Sequence, residues 1–460
     1  MALKFKKFQY SLWLIIFLFA AMSFSLLADI FYPSASPDSD PEASFAGADS
    51  RLSSHSFPKL FIQLQSYLPG LVKIKEASFR DLLVIDAEVV PNNPEFLGAY
   101  GVIRTANPGA VILAYFSAAD IIPGNTATIN AGFMSLLKEV WYLKDIYGAR
   151  FKLFELSPGF WTDMLNLTTG VNSFLPKYLN NSVLSKNLVD GIFYDWINDD
   201  ISWLNHRTDV PCGLPDLNND GRPESDEALN KRWIAGTKTL LTNSAKFFLP
   251  GSLIMGNSGG VTEHTYGNKV DGLMIENFLG ANWAYMMRKH IRHLSYSRRH
   301  TLSMIMANAR QTDYKTMRYS LCSALMFNGY FAYTNKSGAY MTTWWYDEYS
   351  VDTASGKAVK SLKYKGYLGK PLGDAFNVLK ASEKLKTVLL SENYLEARNK
   401  VWRRDFKNGS VLINPSDKNV TVDLGGEFRK IKGVYDKAFN NGSRIKTILL
   451  AKKSGVVLLR

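Results

Sequence analysis

From Lys59 onward, short and almost wholly apolar runs alternate with longer amphipathic ones. This order is typical of βαβ units around a parallel sheet, whose strands are covered on both faces. The pattern predicts eight strands, which are KLFIQL (59–64), LLVID (82–86), VILAYF (111–116), GIFYD (191–195), SLIMGN (252–257), GLMIE (272–276), LSMIMAN (302–308) and GYFAYT (329–334). The longer runs predict helices over 133–148, 226–249, 283–299 and 313–328.

Eight such units between residues 58 and 390 predict an α/β fold, a (β/α)8 TIM barrel. A doubly wound open sheet is the alternative, but no Gly-rich phosphate loop follows any predicted strand. Residues 151–189 interrupt the alternation, and we interpret them as an excursion over the barrel mouth. The other interpretation is that FKLFEL (151–156) is itself a barrel strand, which would shift the count.

The pattern of the sequence changes after Asn393, where Val/Ile/Thr-rich runs such as GSVLINPS and NVTVDLG are separated by NG, GG and SG turns. Short runs of this kind predict antiparallel strands joined by tight turns. We therefore expect a C-terminal antiparallel β-sandwich domain over 391–460, following a catalytic barrel over 58–390.

The N-terminus has the pattern of an export signal. Lys4, Lys6 and Lys7 precede an apolar run from Ser11 to Ala28, as a charged n-region precedes an apolar h-region. Residues 1–28 are predicted to be a signal peptide or an uncleaved signal anchor, which places the protein in the periplasm, outside the cell, or on a membrane facing outward. Residues 29–57 are rich in Pro, Ser, Asp and Ala and predict a disordered linker.

The chain has 460 residues, of which 46% are hydrophobic, and a formal net charge of +13. The excess is C-terminal, because residues 357–460 hold 23 Lys and Arg against 9 Asp and Glu. This end could contact an anionic surface, or it could simply be a solvated basic face. No nucleic-acid-binding motif accompanies the charge, so no such partner is expected. With only Cys212 and Cys322, a disulfide framework does not carry the fold.

Two predicted strands end in an acid within the similar phrases VDGIFYD (189–195) and VDGLMIE (270–276). Their last residues, Asp195 and Glu276, should lie together at the carboxyl end of the barrel, where the active sites of such barrels are found. A carboxylate at the end of an apolar strand is costly to desolvate without a role or a partner. The structural alternative is that both acids form salt bridges, for example with Arg310 or Arg318.

Hydrolysis of a glycosidic bond requires at least two carboxyl groups that face each other across a cleft. We assign Asp195 as the nucleophile and Glu276 as the acid/base of a retaining mechanism. An inverting mechanism, which requires a wider separation of the two carboxyl groups, is the alternative. The other side chains at the predicted strand ends or in the loops that follow are candidates for binding sugar, and these are Asp86, Tyr115, Trp196, Asn257, Asn308 and Trp345. No organic cofactor is expected.

The segment DLNNDGRPESDE (216–227) has the D-x-N-x-D-G-x5-E spacing of a calcium loop. It predicts a structural Ca²⁺ site, whose ligands would be Asp216, Asn218, Asp220, the backbone carbonyl of Arg222 and Glu227. The alternative is a solvated acidic loop that precedes the helix starting near residue 226.

The phrases DGIFYDW, DGLMIENF, YLGKPLGDAF and WRRDFKNGSVLINPS resemble glycosidases of the α-galactosidase (melibiase) superfamily, in particular the hypothetical glycosyl hydrolase 15 type family. The resemblance spans about residues 58–460. It implies a nucleophilic Asp after the fourth strand and a proton-donating acid after the sixth, which are Asp195 and Glu276 here. This chain lacks the Lys-x-Asp phrase of characterised α-galactosidases.

The sequence therefore predicts an exported glycoside hydrolase that acts on an extracellular or envelope polysaccharide. A non-catalytic protein that binds or assembles polysaccharide on the same barrel is the alternative function. In that case the two acids would only form hydrogen bonds to sugars. A membrane contact is expected only if residues 1–28 are retained.

Overall fold

A computed structural model describes residues 47–65, 70–92, 94–257, 263–279, 282–296, 298–300, 302–335 and 342–460. The predicted signal segment, 1–28, and residues 29–46 of the predicted linker lie outside this part of the chain. The strands are β1 (Phe61–Leu64), β2 (Leu82–Asp86), β3 (Val111–Ser117), β4 (Asp120–Ile121), β5 (Lys144–Asp145), β6 (Lys152–Ser157), β7 (Phe160–Met164), β8 (Gly191–Asp195), β9 (Pro215–Asp216), β10 (Leu253–Asn257), β11 (Gly272–Ile275), β12 (Leu302–Asn308), β13 (Tyr330–Thr334), β14 (Val351–Asp352), β15 (Lys357–Ala358), β16 (Phe376–Asn377), β17 (Lys380–Lys384), β18 (Trp402–Phe406), β19 (Gly409–Asn414), β20 (Val420–Lys430), β21 (Arg444–Leu450) and β22 (Ser454–Leu459).

The α-helices of the described residues connect and cover these strands. They are Ala48–Ser54, Gly70–Ala77, Val89–Asn92, Pro94–Ala106, Thr128–Ser135, Val171–Ser182, Asp226–Phe247, Glu263–Tyr266, Trp283–His293, Tyr314–Leu325 and Leu385–Leu390. None of the helices in this part of the chain is both long enough and apolar enough to cross a bilayer.

Eight parallel strands form the barrel in the order β1-β2-β3-β8-β10-β11-β12-β13. A parallel bridge between Leu60 and Phe331 joins the first strand to the last and brings the ring to closure. All eight predicted strands are present, with ends that differ by at most two residues from the prediction. The TIM barrel is therefore confirmed, and its continuous apolar strands reflect burial on both faces.

The side chains of the barrel strands sort into two layers because successive residues of a strand point to opposite faces. The barrel interior contains alternate residues such as Val84, Leu113, Phe193, Met255 and Met304, all buried. The residues between them face the surrounding helices, for example Leu83, Ile112, Ile192 and Ile254. Each strand thus presents its last inward side chain at the carboxyl end of the barrel.

Acids at the amino ends of three strands hold neighbouring strands together. Asp81, Asp190 and Asp271 accept the backbone N–H groups of Leu60, Ile112 and Ile254, each at 2.8 Å. Each of these acids also pairs with a cation, as Asp271 does with Arg298 at 2.8 Å. The first acid of VDGIFYD and of VDGLMIE is therefore structural, since it is both paired and hydrogen-bonded.

The excursion predicted over 151–189 is present, and it lies outside the barrel sheet. Strands β4, β7 and β6 form a separate antiparallel sheet, so FKLFEL is not a barrel strand. The predicted helix over 133–148 is wrong. The helix ends at Ser135, and the following chain is extended because Leu143 pairs its backbone with Met164 and Phe151.

The C-terminal domain is a seven-stranded antiparallel sheet in the order β17-β16-β18-β19-β22-β20-β21. Its two halves enclose a core of their own, which includes Leu412, Leu424, Ile448 and Leu458. This sheet begins at Phe376 and therefore extends the domain upstream of the predicted boundary at residue 391. Its other face packs on the barrel helix Tyr314–Leu325.

The predicted disordered linker over 29–57 also differs from the structure at its C-terminal end. Residues Ala48–Ser54 form a helix, and the buried Arg51 pairs with Asp190 at the amino end of β8. Phe57, which follows this helix in the chain, belongs to the hydrophobic core between the barrel and the C-terminal sheet. Since Arg51 requires Asp190 as its partner, this segment belongs to the folded domain.

Candidate active site

A cavity of about 780 Å³ opens at the carboxyl ends of the barrel strands, and we call it the cleft. The residues that line it are Gln63, Gln65, Asp86, Tyr115, Phe116, Ser117, Asp120, Ile121, Ile122, Asn130, Phe154, Leu156, Thr162, Asp195, Trp196, Asn257 and Glu276. The structure thus brings Asp195 and Glu276 into one pocket. Phe154, Leu156 and Thr162 come from the excursion, which forms one wall of this pocket.

Asp195 ends β8 and is held by three donors. The Tyr115 hydroxyl donates to its Oδ2 at 2.6 Å, and the backbone N–H of Trp196 donates to its Oδ1 at 2.8 Å. The Asn257 side chain supplies the third hydrogen bond. Trp196 has φ of 63°, a left-handed conformation that is uncommon outside glycine and is found at functional sites.

Glu276 directly follows β11, and Asn277 after it again has a left-handed φ, of 51°. The Asn257 Nδ2 donates to Glu276 Oε2 at 2.9 Å. Because Asn257 also forms a hydrogen bond to Asp195, one side-chain amide links the two carboxyl groups. Its place as the last inward residue of β10, the strand between β8 and β11, makes this bridge possible.

Burial raises the pKa of both acids above the ordinary value. At Asp195 the hydrogen bonds from Tyr115, Trp196 and Asn257 oppose this rise. At Glu276 only the Asn257 bond opposes it, and the negative charge of Asp195 raises the pKa further. The two acids therefore differ in environment, because three hydrogen bonds lower the pKa of Asp195 against the effect of burial and only one lowers that of Glu276.

The salt-bridge alternative for these acids is not supported. No Lys or Arg is among the described residues that line the cleft. Arg318 pairs instead with Asp436 at 2.6 Å, and Arg310 lines a different cavity. The second acids of the two similar phrases are thus half-buried and hydrogen-bonded to neutral donors, and no cation of the described cleft walls pairs with them, unlike the first acids.

Two further carboxyl groups line the cleft. Burial raises the pKa of Asp86 to about 7, although the hydrogen bond from the backbone N–H of Glu88 acts to lower it. Burial also raises the pKa of Asp120, which accepts a hydrogen bond from the Ser117 hydroxyl. Asp86 was predicted at this site, whereas Asp120 was missed because it lies on β4, outside the barrel strands. Gln63 was also missed, although it falls within a predicted strand.

Two predicted sugar-binding residues do not reach the cleft. Asn308 ends β12 but lines a neighbouring cavity, where its Nδ2 donates to Asn277 Oδ1 at 2.5 Å. Trp345 is buried, with the Arg80 guanidinium 4.8 Å from its ring centre and Phe79 at its edge. These contacts give Trp345 a packing role, which the clustering of aromatic residues in the sequence could not distinguish from sugar stacking.

The segment predicted to bind calcium forms a tight loop before the helix Asp226–Phe247. Asp216 Oδ2 accepts the N–H of Gly221 at 2.8 Å, and Asn218 Nδ2 donates to Asp220 Oδ2 at 3.0 Å. Glu227 is exposed in the first turn of the helix. Among the described residues, no three or more His, Cys, Asp or Glu side chains are grouped closely enough to hold one metal ion.

A closed ring of parallel strands with two linked, half-buried carboxyl groups at its carboxyl end is the arrangement of an enzyme of the glycoside hydrolase class. The model of hypothetical glycosyl hydrolase family 15 matches residues 104–410, well over half of the chain. The chain belongs to this family.

Solved structures with similar folds include Eubacterium rectale Amy13B, at 10% identity and a TM-score of 0.43, with 90% of this chain and 99% of that chain covered. An α-amylase from Malbranchea cinnamomea has 10% identity and a TM-score of 0.44, covering 90% and 97%. A GH36 α-galactosidase from Geobacillus stearothermophilus has 11% identity and a TM-score of 0.43, covering 87% and 55%. These similarities carry no argument about substrate. No curated protein matches the chain.

The raised pKa of Asp86 predicts a pH-dependent loss of stability that Asp86→Asn removes. Its ordinary pKa is 3.8 and its pKa in the fold is about 7, so the native state binds a proton that the unfolded state has lost between those values. Stability then falls as pH rises from about 4 to about 7, by at most about 4 kcal/mol. Denaturant unfolding of both proteins across pH 4–8 measures the difference.

The exposed Asp423, which caps a turn on β20, provides the matched control for this series. The free energy of unfolding of Asp423→Asn should follow that of the wild type at every pH. A constant difference between the wild type and Asp86→Asn over the whole range would contradict the raised pKa.

Proposed function

We propose that the protein is an exported retaining glycoside hydrolase that cleaves O-glycosidic bonds of an extracellular or envelope polysaccharide. One observation carries the proposal, namely that a single amide, Asn257, links Asp195 and Glu276 in a cleft whose described walls hold no cation. Paired carboxyl groups with unequal environments are what glycoside hydrolysis requires.

In the proposed reaction, a carboxylate oxygen of Asp195 attacks the anomeric carbon while the glycosidic C–O bond breaks. Glu276 gives its proton to the departing oxygen, which therefore leaves as a neutral hydroxyl group. Glu276, now ionised, then takes a proton from water, whose oxygen attacks the same carbon and releases Asp195. The Tyr115 hydroxyl, whose pKa burial raises, remains a hydrogen-bond donor to Asp195 throughout.

The finer resemblance to the α-galactosidase superfamily stays a prediction. The position two residues before Asp195 is Phe193, which is buried inside the barrel, so the Lys of the Lys-x-Asp phrase has no counterpart there. The Tyr194 side chain points outward, and its hydroxyl oxygen lies 2.9 Å from the hydroxyl oxygen of Ser244. Neither side chain offers a sugar contact in the cleft, and we therefore do not extend the proposal to galactose.

Asp195→Asn should abolish hydrolysis, with a fall in kcat/KM of at least about 1000-fold, because an amide cannot act as the nucleophile. Glu276→Gln should lower the rate on natural glycans by about 100- to 10,000-fold. Its effect should be much smaller on nitrophenyl glycosides, whose leaving group departs without a proton. Protein comprising residues 47–460 is assayed on a panel of glycans. The release of reducing sugar identifies the substrate and measures the rate of each variant.

Asp423→Asn again serves as the control and should hydrolyse the same glycans at the wild-type rate. Circular dichroism and unfolding curves of each variant establish that its fold is retained. Unchanged turnover by Asp195→Asn would contradict the assignment of Asp195 as the nucleophile. Binding of a glycan without any hydrolysis by the wild type would instead favour the alternative, a carbohydrate-binding protein that does not catalyse.

The export part of the proposal is supported by the Lys-flanked apolar run over 11–28. Full-length protein with a C-terminal tag should be recovered from the extracytoplasmic or membrane fraction. A form that starts at residue 47 should stay in the cytoplasm. Recovery of both forms from the cytoplasm would contradict export. An anionic-surface contact through residues 357–460 stays a prediction.

The calcium part of the proposal is supported by Asp216, Asn218 and Asp220, which are joined by hydrogen bonds around the turn at Gly221. These residues fit only part of a calcium shell, because Glu227 lies exposed on the next helix. Glu224, which lies within the same segment, is half-buried and pairs with Arg232 at 2.9 Å.

Added Ca²⁺ should raise the melting temperature of the wild type, because a ligand that binds only the native state stabilises it. The rise should disappear in Asp220→Ala and persist in the control Asp423→Asn. Scanning calorimetry with and without Ca²⁺, after treatment with a chelator, measures it. The absence of any shift in the wild type would refute the site.

A further inference from the structure

A second cavity, of about 670 Å³, adjoins the cleft on the side of Glu276. It is lined by Asn277, Leu279, Asn308, Ala309, Arg310, Asp313 and Thr316. Glu276 lines the cleft and the next residue, Asn277, lines the second cavity, so one peptide unit separates the two spaces. Both open at the carboxyl ends of neighbouring barrel strands, β11 and β12.

The ionisable groups that line the two cavities differ. The cleft is lined by four carboxyl groups and by no Lys or Arg among the described residues. The second cavity holds Arg310, which is exposed and forms no ion pair within the described residues. An arginine side chain offers a planar fork of N–H donors that matches a carboxylate.

The one acid of the second cavity is already engaged. Asp313 caps the helix Tyr314–Leu325, and its Oδ1 accepts the N–H of Thr316 at 3.0 Å. The partial positive charge of that helix end offsets the charge of this carboxylate. Arg310 is thus the group in this cavity that still lacks an opposite charge.

The backbone that carries Arg310 is fixed in place. The Tyr333 hydroxyl lies 3.2 Å from the carbonyl oxygen of Arg310, and the Asp313 N–H donates to the same carbonyl at 3.0 Å. The Ala309 N–H donates to Thr334 at the end of β13. A guanidinium on an anchored backbone loses less freedom on binding than one on a loose loop.

Since Glu276 protonates the departing oxygen in the proposed mechanism, the cavity beyond Glu276 receives the leaving saccharide. We propose that this cavity is a leaving-group subsite in which Arg310 binds the carboxylate of an acidic sugar. The inference rests on the proposed function and names the substrate class. The polymer would join an uncharged or amino sugar, held in the acidic cleft, to a hexuronic acid.

A third, smaller space, of about 210 Å³, lies next to the second cavity. It shares Leu279 with the second cavity and reaches the C-terminal domain, where Arg398 and Lys453 line it. Lys453 pairs with Asp417 at 3.0 Å, whereas Arg398 forms no ion pair within the described residues. The next acidic unit of a polymer would therefore again meet a cation.

The test measures binding to the full chain carrying Asp195→Asn, so that no probe is consumed. The probes are hexasaccharides of alternating N-acetylhexosamine and hexuronic acid, and the same oligosaccharides with every carboxyl group reduced to an alcohol. At least one carboxylate form should bind about tenfold more tightly than its reduced partner, as expected for one charged hydrogen-bonded pair. Adding Arg310→Gln should abolish this preference, and Arg310→Lys should restore part of it.

The matched control adds Arg444→Gln, the same change at an exposed arginine on β21 that pairs with Glu427. This control should keep the full preference, whereas a general attraction of anions to a basic protein would weaken in both variants alike. The proposal is overturned if no acidic probe binds more tightly than its reduced partner, or if the preference survives Arg310→Gln.

The outcomes also separate this inference from the proposed function. Hydrolysis of glycans by the wild type without any Arg310-dependent preference would leave the enzyme standing and remove the acidic subsite. Arg310-dependent binding without hydrolysis of any probe by the wild type would support the acidic-sugar site and contradict the hydrolase activity.

Discussion

The constraint on which the site depends is the two-residue alternation of side chains on a closed ring of strands. Because every second residue of a strand points into the barrel, the residues that fill its interior also determine which later residue faces the mouth. Phe193 lies inside, so Asp195 does as well, and the same relation links Met255 to Asn257. The catalytic geometry is thus set by the packing of the core beneath it.

The same ring separates two kinds of acid. At its amino end, Asp190 and Asp271 satisfy strand N–H groups and pair with arginines, which fixes neighbouring strands against each other. At its carboxyl end, Asp195 and Glu276 receive hydrogen bonds from neutral donors, without a counter-charge from the cleft walls. Neutral donors hold a carboxyl group in place yet leave its protonation free to change, which a tight ion pair would prevent.

Much of this arrangement could be predicted from the sequence, because long apolar strands with a polar residue at one end carry a strong signal. The eight strands, Asp195, Glu276, Asp86, Tyr115, Trp196 and Asn257 fall where that signal places them. The failures come from tertiary contacts that local pattern does not contain. The run over 133–148 has helical spacing, but pairing with Met164 and Phe151 makes part of it extended.

The individual residues show the same limit. Trp345 was predicted at the site because it lies near a strand end, yet Arg80 and Phe79, distant in sequence, fix it in the core. Asp120 could not be placed before the excursion was known to fold back over the mouth. Asn308 is at the right end of its strand, and its hydrogen bond to Asn277 assigns it to the adjoining cavity.

The two central acids differ in the number of donors that stabilise their anions. Asp195 has three hydrogen bonds that stabilise its anion, while Glu276 shares the single amide of Asn257. When Asp195 is ionised, its charge raises the pKa of Glu276 and so makes ionisation of Glu276 more costly. Covalent bonding of Asp195 to a sugar removes that charge, which lowers the pKa of Glu276 as its role changes from acid to base. The electrostatic coupling of the two acids therefore favours each step of the proposed mechanism in turn.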